Sequence, residues 1–299
     1  IAEALKKNVL IHDSVSERVR QQYEENPFPR WENARFNQKP LSLESLIQNQ
    51  RTKLKVQSLI AKPTIEALVA GCGTGQEPIV LAKNIKNINV DAIDLSISSL
   101  SYAKRKADEL NVQNINFIHQ DILNLSNTKK KYDMINSSGV LHHMDKPSNG
   151  LEILSKLLED DGYMHIALYS TQARRGFKQI QDAILTEKNL EPDLKTIREL
   201  REFLFARAFK DTSIYPVTNM VDLFSTSQFR DLLFHEQEHT FTLLEIRDLL
   251  EESELEFCGF STTSEPLLPG TEPLSMISIF APSISITCKF RVVLLTAPK

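Results

Sequence analysis

The sequence predicts an α/β protein built on a doubly wound, mostly parallel sheet, with a helical extension before the sheet and a helical cap inserted after its fifth strand. Two observations support this prediction. Apolar segments with the length of strands alternate with helical patterns between residues 65 and 169, which is typical of parallel strands joined by right-handed crossovers. Three of the nine glycines in the chain fall at residues 71–75, directly after the first of those strands.

Residues 1–60 are predicted to form an N-terminal helical extension. Val15, Val19 and Tyr23 recur at helical spacing. The segment Asn-Pro-Phe-Pro-Arg-Trp at 26–31 ends that helix, because proline cannot continue it. Helical spacing then returns over 41–60.

Residues 61–169 are predicted to form the core of the sheet. The predicted strands are 65–70, 90–94, 115–118, 132–136 and 163–169, and the predicted helices are 78–85, 100–110 and 148–158. Ser96 or Ser98 can cap the second helix, because a serine hydroxyl accepts from the unpaired backbone N–H groups of a first turn.

The last two segments complete the predicted organisation. Residues 170–253 are helical and charged and are expected to form a helical cap, with Thr242 capping a helix over 243–250. Residues 254–299 contain short alternating runs at 276–280 and 284–286, which we expect to complete the sheet at its edge.

Composition excludes several classes of protein. Of the 299 residues, 41% are hydrophobic and 25% are charged, which suits an ordinary soluble core. The net charge of −4 does not indicate a general nucleic-acid surface, and no apolar run is long enough to span a membrane. Cys72, Cys258 and Cys288 form no C-x-x-C pair, which favours a reducing, cytoplasmic location. The first residue is Ile rather than Met, so we expect a piece of a longer protein.

The glycine cluster is the first functional clue. A strand that runs into Gly71-Cys72-Gly73-Thr74-Gly75 and then a helix predicts a turn that passes closely under a ligand and offers backbone N–H donors. The dinucleotide fingerprint needs a further glycine at position 76 or 78, where this chain has Gln76 and Pro78. The spacing therefore disfavours a nicotinamide or flavin dinucleotide.

Two acidic residues follow the next two predicted strands. Asp94 lies 19 residues after Gly75, where a carboxylate can accept hydrogen bonds from a ribose diol. Asp121 ends the third strand and could accept from an adenine amino group. All these features fall at carboxyl ends of successive strands, which is where open α/β sheets bind ligands.

These residues give the segment 65–169 a resemblance to the class I S-adenosylmethionine-dependent methyltransferases. The Ala-Gly-Cys-Gly-Thr-Gly turn, Asp94, Asp121 and the run Ser-Gly-Val-Leu-His-His-Met at 138–144 carry it. The segments 22–31 and 230–235 also resemble a bacterial subgroup that is often fused to tetratricopeptide repeats. The resemblance implies a Rossmann-like sheet, S-adenosyl-L-methionine as cofactor, a small-molecule or protein methyl acceptor, and an upstream repeat domain.

The resemblance also implies roles for particular residues. The turn would pass under the methionine part of the cofactor, Asp94 would bind the ribose, Asp121 and Ile122 would lie at the adenine, and two serines would face the sulfonium. The implied cofactor-binding residues are Gly71, Cys72, Gly73, Gly75, Asp94, Asp121, Ile122, Ser137 and Ser138. Many members carry an acidic residue two positions before the first glycine, where this chain has Val69.

Three residues are candidates for the chemistry. His142 and His143 follow the fourth strand, and histidine titrates near neutrality, so either is a candidate general base for a hydroxyl or amine acceptor. Tyr169, which ends the fifth strand, is the third candidate. Tyr23 and Trp31 either line a lid over the cofactor or fasten the N-terminal helix to the core.

Two alternative functions stay open at this point. The run His-Glu-Gln-Glu-His at 235–239 fits the H-E-x-x-H helix motif, so His235, Glu236 and His239 could make the chain a zinc metallopeptidase. The absence of an acidic residue at Val69 gives weight to the second alternative, a non-catalytic module that binds the cofactor and a protein partner.

Overall fold

The structure, a computed structural model, describes residues 1–7, 9–11, 13–34, 36–37, 39–42, 61–187, 193–208, 221–261 and 289–296. Within them, seven strands form one sheet: β1 (Ile65–Ala70), β2 (Ile88–Asp94), β3 (Ile115–His119), β4 (Tyr132–Ser138), β5 (Leu158–Tyr169), β6 (Leu255–Ser261) and β7 (Lys289–Thr296). Their order is β3-β2-β1-β4-β5-β7-β6. The first five pair in parallel, while β7 runs antiparallel to both β5 and β6. The predicted doubly wound, mostly parallel sheet is confirmed.

The described helices surround this sheet. They are α1 (Ala2–Leu5), α2 (Ser14–Glu25), α3 (Gln76–Asn84), α4 (Ile97–Glu109), α5 (Pro147–Leu157), α6 (Thr171–Glu187), α7 (Leu194–Ala208), α8 (Thr226–Leu233) and α9 (Leu243–Glu252). Short 3₁₀ turns lie at Ile122–Asn127, Leu141–His143 and Val221–Phe224. Among the described helices, none has the length and apolar character that a membrane span requires.

Two helices begin at the caps that the sequence predicts. The Ser96 hydroxyl accepts from the backbone N–H of Ser99 at 3.0 Å and starts α4. Thr242 and Glu245 form a capping box at the start of α9, in which each side chain accepts from the backbone of the other residue. Both caps are therefore confirmed as positions where a helix begins.

The sheet buries a different apolar cluster on each face, because successive side chains of a strand point to opposite faces. In β1, Val69 belongs to the cluster formed with α3 and α4, where Ile79 and Leu100 are fully buried. Leu68 belongs to the opposite cluster, which includes Leu151 of α5. This arrangement places the carboxyl ends of β1 to β4 at one open edge.

The helices of the predicted cap, residues 170–253, pack in two different apolar clusters. Helices α6, α7 and α8 share an apolar cluster of their own, which includes Phe177, Leu204 and Phe229. Helix α9 instead packs on the sheet through Ile246 and Leu249. Strands β6 and β7 join the sheet at its edge, whereas the strands predicted at 276–280 and 284–286, and most of the helical pattern predicted at 41–60, lie outside the described residues.

Candidate functional site

The glycine turn follows β1 directly and needs glycine for two reasons. Gly71 and Gly73 both have left-handed backbones, with φ values of 75° and 53°. A Cβ on Gly71 would lie 2.3 Å from Cγ2 of Val140, and a Cβ on Gly73 would lie 2.3 Å from the carbonyl oxygen of Phe28. Any larger residue would therefore displace the segments that close over the turn.

The N-terminal segment after α2 fastens onto this turn through Thr74. The backbone N–H of Thr74 donates to the Phe28 carbonyl at 3.1 Å, and its hydroxyl donates to the Pro29 carbonyl at 2.5 Å. The indole Nε1 of Trp31 donates to the Thr74 carbonyl at 3.1 Å. Trp31 is buried, so this residue fastens the N-terminal segment to the core.

Asp94 ends β2 and holds the glycine turn from the side. One carboxylate oxygen accepts from the backbone N–H of Gly73 at 2.7 Å, and the other accepts from the backbone N–H of Ser96 at 2.8 Å. Burial raises the pKa of Asp94, while these two N–H donors act in the opposite direction. A carboxylate has about four acceptor positions, so this one can still accept from a diol.

Asp121 and Ile122 follow β3, the next strand along this edge. Asp121 is 2% exposed, and its Oδ1 accepts from the backbone N–H of Leu123 at 2.9 Å. Both residues border the same cavity as Asp94. The two acidic strand ends that the sequence singles out are therefore brought together.

One cavity of about 660 Å³ lies along this edge. It is large enough for a nucleoside-sized ligand. Seven of the nine residues proposed for the cofactor line it: Gly71, Cys72, Gly73, Asp94, Asp121, Ile122 and Ser138. The glycine turn forms a wall of this cavity that has no side chains at Gly71 and Gly73, and Asp94 supplies acceptors, so the residues present fit S-adenosylmethionine.

The other two residues proposed for the cofactor do not border the cavity. Ser137 is fully buried, and its hydroxyl donates to the Ala70 carbonyl at 3.2 Å. Its neighbour Ser138 points to the cavity, because side chains alternate along a strand. Gly75 faces helix α4, where a Cβ would lie 2.5 Å from Cβ of Ala103. We therefore assign Gly75 to helix packing and Ser137 to the sheet.

The end of β4 carries a group of polar side chains that face α3. Asn136 is 5% exposed, and its Nδ2 donates to Oε1 of Glu77 at 3.0 Å. The hydroxyl of Ser138 donates to the same oxygen at 3.3 Å. All three residues line the cavity. Within the described chain, Oδ1 of Asn136 is a buried atom with no hydrogen-bond partner.

The three candidates for the chemistry lie together but differ in access. His143 and Tyr169 line the cavity. His142 has zero exposure, and its ring packs on that of Tyr169, with centroids 3.9 Å apart. The Arg174 guanidinium lies over the same tyrosine ring, 4.4 Å from its centroid. The geometry therefore favours His143 over His142 as a group that meets an acceptor.

A second polar cluster lines the cavity beside His143. The hydroxyl of Tyr23 in α2 donates to Oδ1 of Asp231 in α8 at 2.7 Å, and lies 3.0 Å from Nε2 of His235. Burial, followed by the Asp231 carboxylate, raises the pKa of Tyr23, so its hydroxyl stays protonated. Tyr23 thus joins the N-terminal helix to the cap.

The zinc interpretation of residues 235–239 is wrong. Helix α8 ends at Leu233, so His235 and His239 do not lie one turn apart on a helix. Glu238 forms a buried ion pair with Arg174, and Glu236 lies 3.5 Å from Arg18. The metallopeptidase alternative therefore has no site to support it in the described chain.

A different trio, His143, Asp231 and His235, does place potential ligand atoms within 4.8 Å of one another. However, Nδ1 of His235 accepts from the backbone N–H of Gln237 at 3.1 Å, so the neutral ring carries its proton on Nε2. Burial lowers the pKa of His235 to about 4, which keeps the ring neutral. This nitrogen therefore donates to Tyr23 and is not available as a metal ligand.

The sequence alone does not identify several of the residues that line the cavity. Asp231, Gln228, His165, Glu77 and Asn136 all border it. The one signal that could have found Asp231 is the run Arg-Asp-Leu-Leu-Phe-His at 230–235. The others come from chain segments that only the fold brings together.

Comparisons with known proteins identify a methyltransferase domain in this chain. Residues 62–210 match the protein family described as "Methyltransferase domain". The chain is 28% identical over 211 residues to an uncharacterized protein of Synechococcus sp., covering 68% of this chain and 49% of that protein. It is 29% identical over 143 residues to malonyl-[acyl-carrier protein] O-methyltransferase 1 of Ilyobacter polytropus, covering 48% of this chain and 50% of that protein.

The chain spans about half the length of these two curated relatives. Among solved structures, PKMT2 from Rickettsia typhi matches with a TM-score of 0.59 at 15% identity, covering 78% of this chain and 48% of that one. That likeness supports the fold. Residues 62–210 therefore form a domain of the kind found in class I S-adenosylmethionine-dependent methyltransferases, whose cofactor is S-adenosylmethionine.

Proposed function

We propose that this protein transfers a methyl group from S-adenosylmethionine to an acceptor that binds beside His143, Tyr23 and Asp231. One observation carries the proposal. A single cavity joins the glycine turn and Asp94 to this second polar cluster, so a cofactor site and an acceptor site share one space. S-adenosylmethionine, when bound, supplies an activated methyl group on a positively charged sulfur.

The residues at the cofactor end would hold that ligand in place. Asp94 would accept from the ribose hydroxyls, while its bonds to Gly73 and Ser96 keep the carboxylate and the turn in fixed positions. Asp121 and Ile122 would lie at the adenine. Because methyl transfer depends mainly on alignment and on exclusion of water, a rigid turn is the main contribution of this end.

His143 is the proposed general base for a hydroxyl or amine acceptor. Its Nδ1 lies 2.7 Å from the carbonyl oxygen of Gln237, so Nδ1 carries the proton and Nε2 is the atom that can accept one. The acceptor proton would pass to Nε2 as the acceptor bonds to the methyl carbon, the bond from that carbon to sulfur would break, and S-adenosylhomocysteine would leave. Tyr169 would position the ring of His143, since the two rings meet edge to face with centroids 5.7 Å apart.

The cap would shape the acceptor end. Asp231 and Gln228 of α8 line the cavity there, and the hydrogen bond between Tyr23 and Asp231 closes it on one side. Arg174 is paired with Glu238, so this arginine does not supply a positive charge for an anionic acceptor. We propose an acceptor whose reacting group is neutral when it meets His143.

Two features remain proposals about the wider protein. The segments at 22–31 and 230–235 favour an upstream tetratricopeptide-repeat domain, which would recruit the acceptor. The absence of a C-x-x-C pair favours a cytoplasmic location.

Methyl transfer to cell extract tests the proposed function. Incubation of the protein with S-adenosylmethionine labelled in the methyl group should place label on a component of the extract, and separation by size tells a protein from a small molecule. Binding of S-adenosylhomocysteine without any transfer would favour the non-catalytic module instead.

A further inference from the structure

The cofactor end lacks one group that the resemblance leads us to expect. Many class I methyltransferases carry an acidic residue two positions before the first glycine, and this chain has Val69 there. Val69 is fully buried in the apolar cluster under α3, so it offers nothing to a cation. A second carboxylate must be sought if the cofactor's ammonium group is to be paired.

Glu77 places a carboxylate beside that position from another direction. Val69 of β1 and Asn136 of β4 are registered partners on adjacent parallel strands, so their side chains emerge next to each other on the same face. Nδ2 of Asn136 donates to Oε1 of Glu77 at 3.0 Å. Glu77 is therefore bonded to the side chain that lies next to position 69. Its carboxylate lies close to the place that an acidic side chain at position 69 would occupy.

Asn136 holds the Glu77 carboxylate from the side of β4. Its Nδ2 donates to Oε1 of Glu77, while its Oδ1 is turned away from Glu77 and is buried. Asn136 is 5% exposed and lines the cavity, so this hydrogen bond fixes the carboxylate at the cavity wall.

The Glu77 carboxylate suits a primary ammonium group. A primary ammonium has three N–H donors and one positive charge, and a carboxylate supplies both acceptor positions and the opposite charge. Glu77 also lies in the first turn of α3, where its charge is favourable, and Ser138 donates to its Oε1 at 3.3 Å. Both donors therefore hold the carboxylate at the rim of the cavity.

We propose that Glu77, held in place by Asn136, anchors the α-ammonium group of the cofactor's methionine and so replaces the acidic residue absent at Val69. This inference rests on the proposed function. The anchoring carboxylate would then come from the start of α3, the helix that follows the glycine turn, rather than from the end of β1.

Calorimetric titration with two nucleosides tests this anchor. S-adenosylhomocysteine carries the amino acid, whereas 5′-methylthioadenosine has the same adenosine and sulfur without it. Glu77→Gln keeps an acceptor for Asn136 but removes the charge. We expect its affinity for S-adenosylhomocysteine to fall by about 10- to 100-fold, and its affinity for 5′-methylthioadenosine to change by less than about twofold.

Glu245→Gln is the matched control. Glu245 also lies in the first turn of a helix, α9, and it does not line the cavity, so both affinities should stay as in the unaltered protein. An equal loss for both nucleosides in Glu77→Gln would overturn the anchor, since Glu77 would then act only on the fold. Unchanged affinity for S-adenosylhomocysteine would overturn it as well.

Failure of the proposed function gives a different result. If the unaltered protein binds neither nucleoside, the cofactor site itself is wrong, and the anchor falls with it. If it binds both and Glu77→Gln binds both equally well, only the anchor is wrong.

Discussion

The ring of His143 stacks on the ring of His235, with centroids 3.5 Å apart and planes inclined by 16°. A single residue, Gln237, fixes both rings: its N–H donates to Nδ1 of His235, and its carbonyl oxygen lies 2.7 Å from Nδ1 of His143. The two rings therefore hold their protons on opposite nitrogens. His235 is a donor to Tyr23, and His143 presents Nε2 as an acceptor.

This arrangement predicts the effect of removing His143. His143→Asn should lower the rate of methyl transfer by about 10²- to 10⁴-fold, because a general base contributes that much to proton removal. Affinity for S-adenosylhomocysteine should stay within about twofold, since the glycine turn and Asp94 are untouched. Transfer of labelled methyl to extract measures the rate, and calorimetry measures the affinity.

His239→Asn is the control for that variant. His239 lies in the same segment, does not line the cavity, and bonds to His142 through its backbone N–H, which the substitution keeps. We expect unchanged transfer. Loss of transfer in His239→Asn together with retention in His143→Asn would show that the general base is assigned to the wrong histidine.

The buried His235 predicts loss of stability in acid. Burial lowers the pKa of His235 to about 4 in the folded protein, while histidine in an unfolded chain titrates near about 6.5. Between those values the unfolded chain binds a proton that the folded protein does not, so acidification favours unfolding. From pH 7 to pH 5 this residue should cost about 1 to 2 kcal/mol of the free energy of unfolding.

Urea unfolding at several pH values checks that expectation. His235→Gln removes the titration, so its free energy of unfolding should fall less between pH 7 and pH 5 than that of the unaltered protein. If the free energy of unfolding fell by the same amount in the two proteins, His235 would protonate as readily in the folded state as in the unfolded chain.

Gly73→Ala should destabilise the turn. A Cβ at this residue would lie 2.3 Å from the Phe28 carbonyl oxygen, and φ is 53°, a conformation that alanine disfavours. We expect a loss of about 2 to 4 kcal/mol, from backbone strain and displacement of the N-terminal segment.

Gly162→Ala gives the comparison for that change. Its φ is not left-handed, and a Cβ there would lie 2.9 Å from the end of the Leu158 side chain and 3.0 Å from the carbonyl oxygens of Asp133 and Glu159. These contacts are less close than the 2.3 Å at Gly73, so Gly162→Ala should cost less than Gly73→Ala. Thermal unfolding of both variants measures the difference. A larger loss in Gly162→Ala would contradict the close approach of the N-terminal segment to the turn.

Breaking the ion pair between Arg174 and Glu238 should strongly destabilise the folded protein. Arg174 is 3% exposed, and its guanidinium also donates to the Leu232 carbonyl at 3.1 Å. Arg174→Met leaves Glu238 without its partner and should cost about 3 to 5 kcal/mol. Arg247→Met breaks an ion pair to Asp248 in which both side chains are more than half exposed, so it should cost less than about 1 kcal/mol. Similar losses in urea unfolding would contradict the burial of Arg174.

Local signals allowed much of the fold to be predicted. The glycine turn, the strand ends at Asp94 and Asp121, and the cap at Thr242 depend on neighbouring residues, so spacing reveals them. Spacing could not separate Ser137 from Ser138, because a shift of one residue along a strand sends a side chain to the opposite side of the sheet. Sequence patterns locate a strand end only to within about two to four residues.

Long-range contacts explain what the sequence could not show. Tyr23 meets Asp231 across 208 residues, and nothing near either residue predicts the other. The His-Glu-Gln-Glu-His match at 235–239 fails because the motif needs a helix, whereas α8 ends at Leu233 before the motif begins. Residue types at the right spacing thus predict a site only when the secondary structure is also right.

Binding of S-adenosylhomocysteine tests the central claim most directly. Calorimetry should show affinity in about the micromolar range for the unaltered protein and no binding of NAD, because the glycine turn lacks the dinucleotide spacing. Asp94→Asn should weaken the affinity by about 100-fold or more, since Asp94 both accepts from Gly73 and would bind the ribose. Binding of NAD, or unchanged affinity in Asp94→Asn, would contradict the site described for this methyltransferase domain.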